Sequence, residues 1–400
     1  MRKKEFTRRD FLKATGVVSA AAAAGVGALP IKLLAAEKPL VRFPQKAELE
    51  LLTSRPPQLE TPISYFRELI TPNEALFVRW HISGIPTRVD PATWRLNIGG
   101  HVERPLALSL DELRSRFRPI SYTAVIQCSG NGRSFADPRV PGGQWGNGAM
   151  GNVTWTGARL RDILDAAGLK AGAVDVSFNG LDTPPLPSVP DLVKSLPVDE
   201  ARGEDIMVAY EMNGSALPVL NGYPVRLVVP GWFATYWVKS LSDITVLDKP
   251  FEGFWVKTAY RIPATPCGCV APGSKPEKTV PINRMVTRSL IVTPTAGERV
   301  RAGKEVQMMG VAFSGGVNIR DVIVSVDGGS SSWREAKLGK DLGKYSWRQW
   351  TFPWRPQKPG TYTLMARATD AYGESQPFES LWNPGGYLYN KIERVEITAV

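Results

Sequence analysis

Cysteine and histidine are the scarce residues of this chain. Three Cys and two His among 400 residues exclude a good deal of metal chemistry. There is no C-x-x-C-H for covalent haem, no C-x-x-C pair, and too few thiols for an iron–sulfur cluster. A zinc site would have to draw on carboxylates. Cys267-Gly268-Cys269 leaves one residue between its thiols, poor spacing for a relaxed disulfide, and Cys128 stands alone. Long apolar runs are missing too. Beyond the N-terminus no stretch reaches the roughly 20 uncharged apolar residues of a membrane span, so none is expected in the mature chain. The composition, 43% hydrophobic and 22% charged, is otherwise that of an ordinary globular protein.

Proline, by contrast, is abundant, with 33 residues against an average of about 5%. That favours turns and edge strands over long helices. The first residues read as an address. Thr7-Arg8-Arg9-Asp10-Phe11-Leu12-Lys13 matches the twin-arginine export pattern, and a weakly apolar run follows from Ala14 to Leu29, with Lys32 beyond it. A basic amphipathic helix or a retained anchor is the alternative. Residues 1–36 are read as the signal, although Leu34 spoils a strict A-x-A before Ala35-Ala36. Such a signal implies a periplasmic protein exported folded, often with a cofactor already inserted. These residues hold seven Lys/Arg and two Asp/Glu, so the mature chain falls from +11 to +6. A modest positive balance suits an anionic substrate or acidic partner, and export argues against nucleic acid.

At 400 residues the chain is too long for one average domain. Residues 37–75 are Pro-rich with few periodic signals, which reads as an arm wrapping the next domain. Leu76-Phe77-Val78 looks like a buried strand, and Trp94 to Ile98 alternates like a half-exposed one. Ser109-Leu110-Asp111-Glu112 is a capping box, predicting a short helix to about Arg116. Leu160, Ile163, Leu164 and Ala167 fall at helical spacing, with Gly168 as the C-cap. Val225 to Val229 reads as a buried strand ended by Pro230-Gly231. Helices and strands intermix without a regular βαβ repeat, which predicts an α+β domain. Five prolines between Pro263 and Pro281 mark the boundary. After it, Asp321 to Gly329 alternates into a Gly-rich turn, and Tyr362, Leu364, Ala366 and Ala368 occupy one strand face. Short strands without helix signals predict a β-sandwich.

The stretch Gln127-Cys128-Ser129-Gly130-Asn131-Gly132-Arg133 carries the chemistry. A lone Cys amid small residues and beside an Arg is placed to hold a thiolate, because a nearby cation lowers a thiol pKa and a bound metal deprotonates it outright. Two other readings stand beside this one: a buried structural Cys, and a nucleophile whose base would have to be His81 or His101.

The order of motifs then becomes specific. Phe77-Val78-Arg79-Trp80-His81 and the Cys128 segment are followed by Gly148-Ala149-Met150-Gly151-Asn152, Trp155-Thr156-Gly157 and Gly180-Leu181-Asp182. Ala209 to Gly214, Pro224 to Gly231, Trp237-Val238-Lys239, Tyr260-Arg261-Ile262-Pro263 and Pro281 to Met285 complete the series. In this the chain resembles the sulfite oxidase family of molybdopterin enzymes, most closely its bacterial sulfite dehydrogenases without a haem domain. The likeness runs from about Leu76 to the C-terminus. It implies a mixed α/β catalytic domain over residues 76–283 and an immunoglobulin-like β-sandwich dimerisation domain over 284–400.

The resemblance also implies a mononuclear molybdenum–molybdopterin cofactor with one pterin, and no haem in this chain. Cys128 would supply the protein thiolate to molybdenum, and soft sulfur suits such a metal. Arg79 and Arg133 resemble the family's substrate-pocket arginines, whose guanidinium forks suit oxyanions. Tyr260 matches a pocket tyrosine, Trp255 a wall, Trp145 the Trp closing the anion pocket, and His81 a cofactor-side His. Phe77, Val78, Asp182, Arg226, Trp237, Val238 and Lys239, with Trp80, match positions that hold the pterin and its phosphate. Two departures stand out. Asn221 occupies the place of a pterin-binding His in the animal enzymes, and Trp382-Asn383-Pro384-Gly385-Gly386 lacks their pocket Arg. The expected reaction is oxidation of sulfite to sulfate, with electrons leaving to a separate c-type cytochrome and the chain forming a homodimer. The competing readings are a sulfane dehydrogenase subunit of a thiosulfate-oxidising complex, nitrate or sulfoxide reduction on the same scaffold, and a periplasmic binding or adhesion module that carries no metal.

Overall fold

The computed structural model describes residues 38–400, of which 39–400 form one compact unit. The expected signal at residues 1–36 lies outside the described residues. No helix among them is long and apolar enough to cross a membrane.

The helices form where local signals are strongest. Ser109 accepts from the Glu112 amide while the Glu112 carboxylate reaches back to the Ser109 amide, and the helix runs Leu110–Arg116. Two of the orphan donors at this end are thereby satisfied. The helix Leu160–Ala167 buries Leu160, Ile163, Leu164 and Ala167, and Gly168 at φ +70° ends it by donating to Leu164 O and Asp165 O. Each Leu or Ile so buried contributes roughly 1.5–3 kcal/mol. Only two further α-helical turns are present among the described residues, Val198–Ala201 and Phe254–Lys257. The expected mixed domain is therefore mostly sheet, because the abundant prolines cap strands and turns rather than extend helices.

Two sheets frame the first core. One has the order Lys194–Pro197, Asp175–Gly180, Leu241–Leu247, Leu96–Gly100, Leu106–Leu108, with a parallel pair between Leu241–Leu247 and Leu96–Gly100. The other has the order Arg226–Val228, Met207–Met212, Met150–Arg159, Pro119–Gln127, all antiparallel. Trp155 and Trp237 meet edge to face in this core at 5.7 Å.

Towards the C-terminus two more sheets share a second core. Arg288–Thr293, Val306–Phe313, Arg348–Trp354 and Lys337–Leu338 form one. Arg299–Val300, Val395–Ala399, Gly360–Asp370, Ile319–Ser325 and Arg334–Glu335 form the other. Leu364, Ala366 and Ala368 point into that core, with Tyr362 at its margin, as the alternation predicts.

Three expectations change. The stretch read as an irregular arm contains Leu40–Arg42, Glu48–Ser54 and Pro57–Glu60, which build a four-stranded antiparallel sheet with Val78–Arg79. The strand expected at Leu76 to Val78 is this two-residue piece, since only Val78 and Arg79 face a partner edge. Cys267 and Cys269 are disulfide-bonded despite their spacing. The turn at Gly268, φ +60°, brings the two Cα atoms to 5.1 Å, within disulfide range.

Candidate active site

Cys128 sits one residue beyond the strand Pro119–Gln127, whose last pair is Gln127 with Met150. The ladder continues for one bond, Cys128 N–H donating to Ala149 O at 2.9 Å, and then turns. Asn131 N–H donates to Cys128 O at 3.0 Å, and the Asn131 side-chain oxygen accepts from the Ala149 amide at 3.0 Å. Gly132 at φ +87° completes the reversal, a conformation that favours glycine. Backbone and loop are thus held, and the Cys128 thiol faces a cavity while only 7% exposed. It is the one free thiol among the described residues.

The cavity floor is cationic. Arg226 donates to Asn221 O at 3.0 Å and Trp237 O at 2.9 Å, and lies over the rings of Trp155 and Trp237. Burial pushes even this guanidinium down to about 9. Lys239 donates to Arg79 O at 2.8 Å with its ammonium 4.4 Å from the Trp80 ring centre. Burial and then Arg226 lower Lys239 to about 7, while burial raises Asp182, its carboxylate neighbour, to about 6. Both shifts come from desolvation of charge that the pair only partly offsets. Asn221 donates to Phe77 O at 3.2 Å, and its oxygen accepts from the buried Lys46 at 2.9 Å.

Above the floor, His81 Nε2 and the Tyr260 hydroxyl share a hydrogen bond, and Trp255 meets the imidazole edge to face at 5.1 Å. Burial, then Arg79, Lys239 and Lys194, push His81 well below its ordinary range, so the imidazole is neutral. Burial pushes the Tyr260 phenol up, so it stays protonated. Tyr260 has φ +57°, and its carbonyl is held by the Ile282 amide at 2.9 Å. A non-glycine residue there costs on the order of 1–3 kcal/mol and must be held by its surroundings. Lys194, fully buried, donates to Trp255 O at 2.5 Å and stands 5.3 Å from the Tyr260 ring centre.

Arg133 and Trp145 do not line this cavity. Arg133 donates to Gly385 O at 2.9 Å and Gly143 O at 3.2 Å. A Cβ on Gly130 or Gly142 would lie 2.6 or 2.9 Å from its Nη1, so a side chain at either position would displace the guanidinium. Trp145 is buried against Phe77, edge to face at 6.3 Å. Val78 and Trp80 pack in a separate small core with Leu49 and Leu59, and Trp80 donates to Leu220 O at 3.1 Å. Trp237 and Val238 belong to the main core behind Arg226. Of the residues named from sequence, Phe77, Arg79, His81, Cys128, Asn221, Arg226, Lys239 and Tyr260 line one cavity together. Asp182 stands behind Lys239. Sequence reasoning missed Ser129, Thr235 and the supporting Lys46. Ser129 adjoins Cys128 and was findable; Thr235 and Lys46 carry no local signal.

The donor set can hold an anionic polar group. Arg79 Nη1, His81 Nδ1, Ser129 Oγ, Arg226 Nε and Thr235 Oγ1 are buried without a hydrogen-bond partner, and all five residues line the cavity of the Cys128 thiol. Buried polar atoms are rarely left so, and their clustering around one thiol fits a thiolate-ligated metal on a polar, negatively charged organic cofactor.

Comparison with known proteins bears on this fit. Residues 82–255 match the oxidoreductase molybdopterin binding domain, and residues 279–400 the Mo-co oxidoreductase dimerisation domain. Residues 5–25 match the twin-arginine translocation signal sequence, which marks the chain for export to the periplasm by that route. Chicken sulfite oxidase is 34% identical over 86% of this chain and 77% of its own length. Human mitochondrial sulfite oxidase is 34% identical over 87% of this chain and 65% of its own. The chain thus spans about two thirds of the mammalian relative. Among solved structures, the sulfane dehydrogenase SoxCD from Paracoccus pantotrophus aligns with a TM-score of 0.74 at 27% identity, covering 94% of this chain and 91% of that one.

Proposed function

Because the chain belongs to the sulfite oxidase family of molybdopterin oxidoreductases, we propose that it oxidises sulfite to sulfate in the periplasm and passes the electrons to a separate c-type cytochrome. The observation that carries this reading is a buried, unpartnered Arg79 guanidinium nitrogen in the same cavity as the Cys128 thiol. A fixed cation beside a soft metal ligand is what a small oxyanion reacting at a metal requires.

In this reading Cys128 is the thiolate ligand. Arg226, Lys239 and Thr235 hold the pterin and its phosphate, with Asp182 balancing Lys239, Asn221 shaping the edge and Phe77 forming a wall. Val78, Trp80, Trp237 and Val238 support these residues from behind. When bound, the cofactor supplies oxygen-atom transfer and accepts two electrons. The reaction adds one oxygen, derived from water, to sulfite and releases two electrons and two protons. Arg79 binds and orients the oxyanion by charge-assisted hydrogen bonds, and Arg133 adds charge from the outer side. The Tyr260 phenol donates a proton-bearing contact without ionising, and neutral His81 orients it. Trp145 closes the wall between Phe77 and the Arg133 loop. Residues 76–283 form the catalytic part, preceded by the arm at 37–75, and residues 284–400 form an immunoglobulin-like sandwich through which two copies pair as a homodimer.

The decisive experiment is to purify the protein from the periplasm, quantify molybdenum, and follow cytochrome c reduction with sulfite. One molybdenum per chain and sulfite-dependent reduction are expected. Metal-free protein, or metal-loaded protein inert to sulfite, would overturn the reading. The second reading, a sulfane dehydrogenase, is favoured by the likeness to SoxCD over nearly the whole chain. It predicts turnover of sulfane sulfur and little turnover of free sulfite.

A further inference from the structure

The segment from Trp382 to Tyr389 lacks a guanidinium, yet it touches the loop that follows Cys128 at several points. Trp382 Nε1 donates to Pro138 O at 2.8 Å, and Gly385 O accepts from Arg133 Nε at 2.9 Å. A Cβ on Gly132 would lie 2.5 Å from the Tyr389 ring, and that ring packs on Phe135 at 5.4 Å. Between these contacts, the Tyr387 ring stacks on Tyr260 at 5.7 Å with an interplanar angle of 18°, and the Arg133 guanidinium carbon lies 5.0 Å from its centre. Tyr387 is thus the one described ring that touches both.

Its own placement is fixed. Asn383 Oδ1 accepts from the Tyr387 amide at 3.1 Å, and Asn383 Nδ2 donates to Tyr387 O at 2.8 Å. Gly386 at φ +58° makes the turn, and a Cβ there would lie 2.8 Å from Arg133 Cγ and 2.5 Å from Val140. Of the five Arg133 N–H groups two are spent on Gly385 O and Gly143 O, and a third lies in hydrogen-bonding reach of the Tyr387 hydroxyl, which leaves two for an anion. A guanidinium lying on an aromatic face keeps its plane, and that plane sets where those donors point.

We propose that Tyr387 is a positioning residue of the anion site, holding the Arg133 guanidinium and the Tyr260 ring in one stack so that both address the same small oxyanion. The C-terminal segment takes part in substrate binding through this ring and the Gly385 carbonyl instead of through a cation of its own. The inference rests on the sulfite chemistry proposed above.

The test compares wild type, Tyr387→Leu, Tyr387→Phe, Arg133→Gln and the Tyr387→Leu/Arg133→Gln double variant, each metal-loaded. Tyr387→Leu should raise the KM for sulfite about 5- to 30-fold, the range of a desolvated cation–π contact, with a smaller change in kcat. Tyr387→Phe should recover most of the loss, and the double variant should bind no more weakly than Arg133→Gln alone. Sulfate-dependent thermal stabilisation gives a second readout, expected to weaken in Tyr387→Leu and recover in Tyr387→Phe. Unchanged KM and unchanged sulfate stabilisation in Tyr387→Leu, a Phe variant as impaired as Leu, or additive losses in the double variant would each overturn the assignment. A wild-type enzyme inert to sulfite would sink the proposed reaction instead, and the sulfate measurement would still decide the role of Tyr387.

Discussion

His81 and Tyr260, 179 residues apart in the chain, meet through one hydrogen bond between imidazole Nε2 and the phenol oxygen. Their rings cross edge to face at 5.5 Å. Cationic neighbours and burial keep the imidazole neutral, and burial keeps the phenol protonated. The pair therefore holds protons in the cavity without adding charge, and the positive potential felt by an anion comes from Arg79, Arg133 and the floor. In the Nε2–H tautomer the phenolic proton is free to donate to substrate. In the Nδ1–H tautomer Nε2 accepts the hydrogen bond from the phenol instead.

Tyr260→Phe tests that proton. The ring stack on Tyr387 survives, one donor disappears, and kcat should fall roughly 10- to 100-fold, the weight of one hydrogen bond. A thermal melt run alongside should show little change. Normal turnover with a lowered Tm would place the hydroxyl in a purely structural role.

Cys128→Ser should abolish sulfite oxidation while the fold persists, since the Cys128 amide and carbonyl bonds are backbone and unaffected. Circular dichroism should be unchanged and molybdenum content reduced or altered in its absorption spectrum. Full activity in a folded, metal-loaded Ser variant would remove Cys128 from the metal.

Arg79→Gln should raise the KM for sulfite about tenfold or more, because a hydrogen bond to a charged group is worth about 1.5–3 kcal/mol. The effect should outlast added salt better than that of a surface charge, since the pocket is shielded from screening. Kinetics equal to wild type would mean that the anion binds elsewhere.

Lys46 predicts a pH dependence of stability. Burial lowers its pKa from 10.5 to about 7, with Glu74 opposing. Between those values the unfolded chain binds the proton and the folded chain does not, so stability rises as pH rises from 7 towards 10.5, and is least below 7. Lys46→Met should flatten that rise, by roughly 3–4 kcal/mol across the window. Lys194 and Lys239, both lowered to about 7, keep part of the slope. Parallel melting curves for the two proteins between pH 7 and 9.5 would show that Lys46 is charged in the fold.

Much of the local structure is legible in the sequence because its causes are local. The capping box at Ser109 and the apolar stripe from Leu160 to Ala167 act within one or two helical turns. The alternation at Tyr362 to Ala368 needs only a buried face. Motif order likewise identified Cys128, Arg79, His81 and Tyr260 as belonging together, and they share one cavity. The strands between Leu40 and Glu60 escaped notice because their pattern is weak and their anchor is the distant edge Val78–Arg79. The disulfide escaped because spacing alone cannot show the turn that Gly268 makes.

By itself the sequence determined the export signal, the lone thiol and the positions of the stronger helices and strands, each a matter of residue type and short-range spacing, while Arg79 and Arg133 were pointed to by the family resemblance alone. Only the tertiary structure decided that Arg133 stands outside the inner cavity on a tyrosine from the C-terminal segment. It also decided that Lys46 reaches Asn221 from an N-terminal strand region, and that Tyr260 is held at positive φ beside His81. Those contacts join residues more than a hundred positions apart, and sheet register and core packing bring them together, which no local pattern encodes.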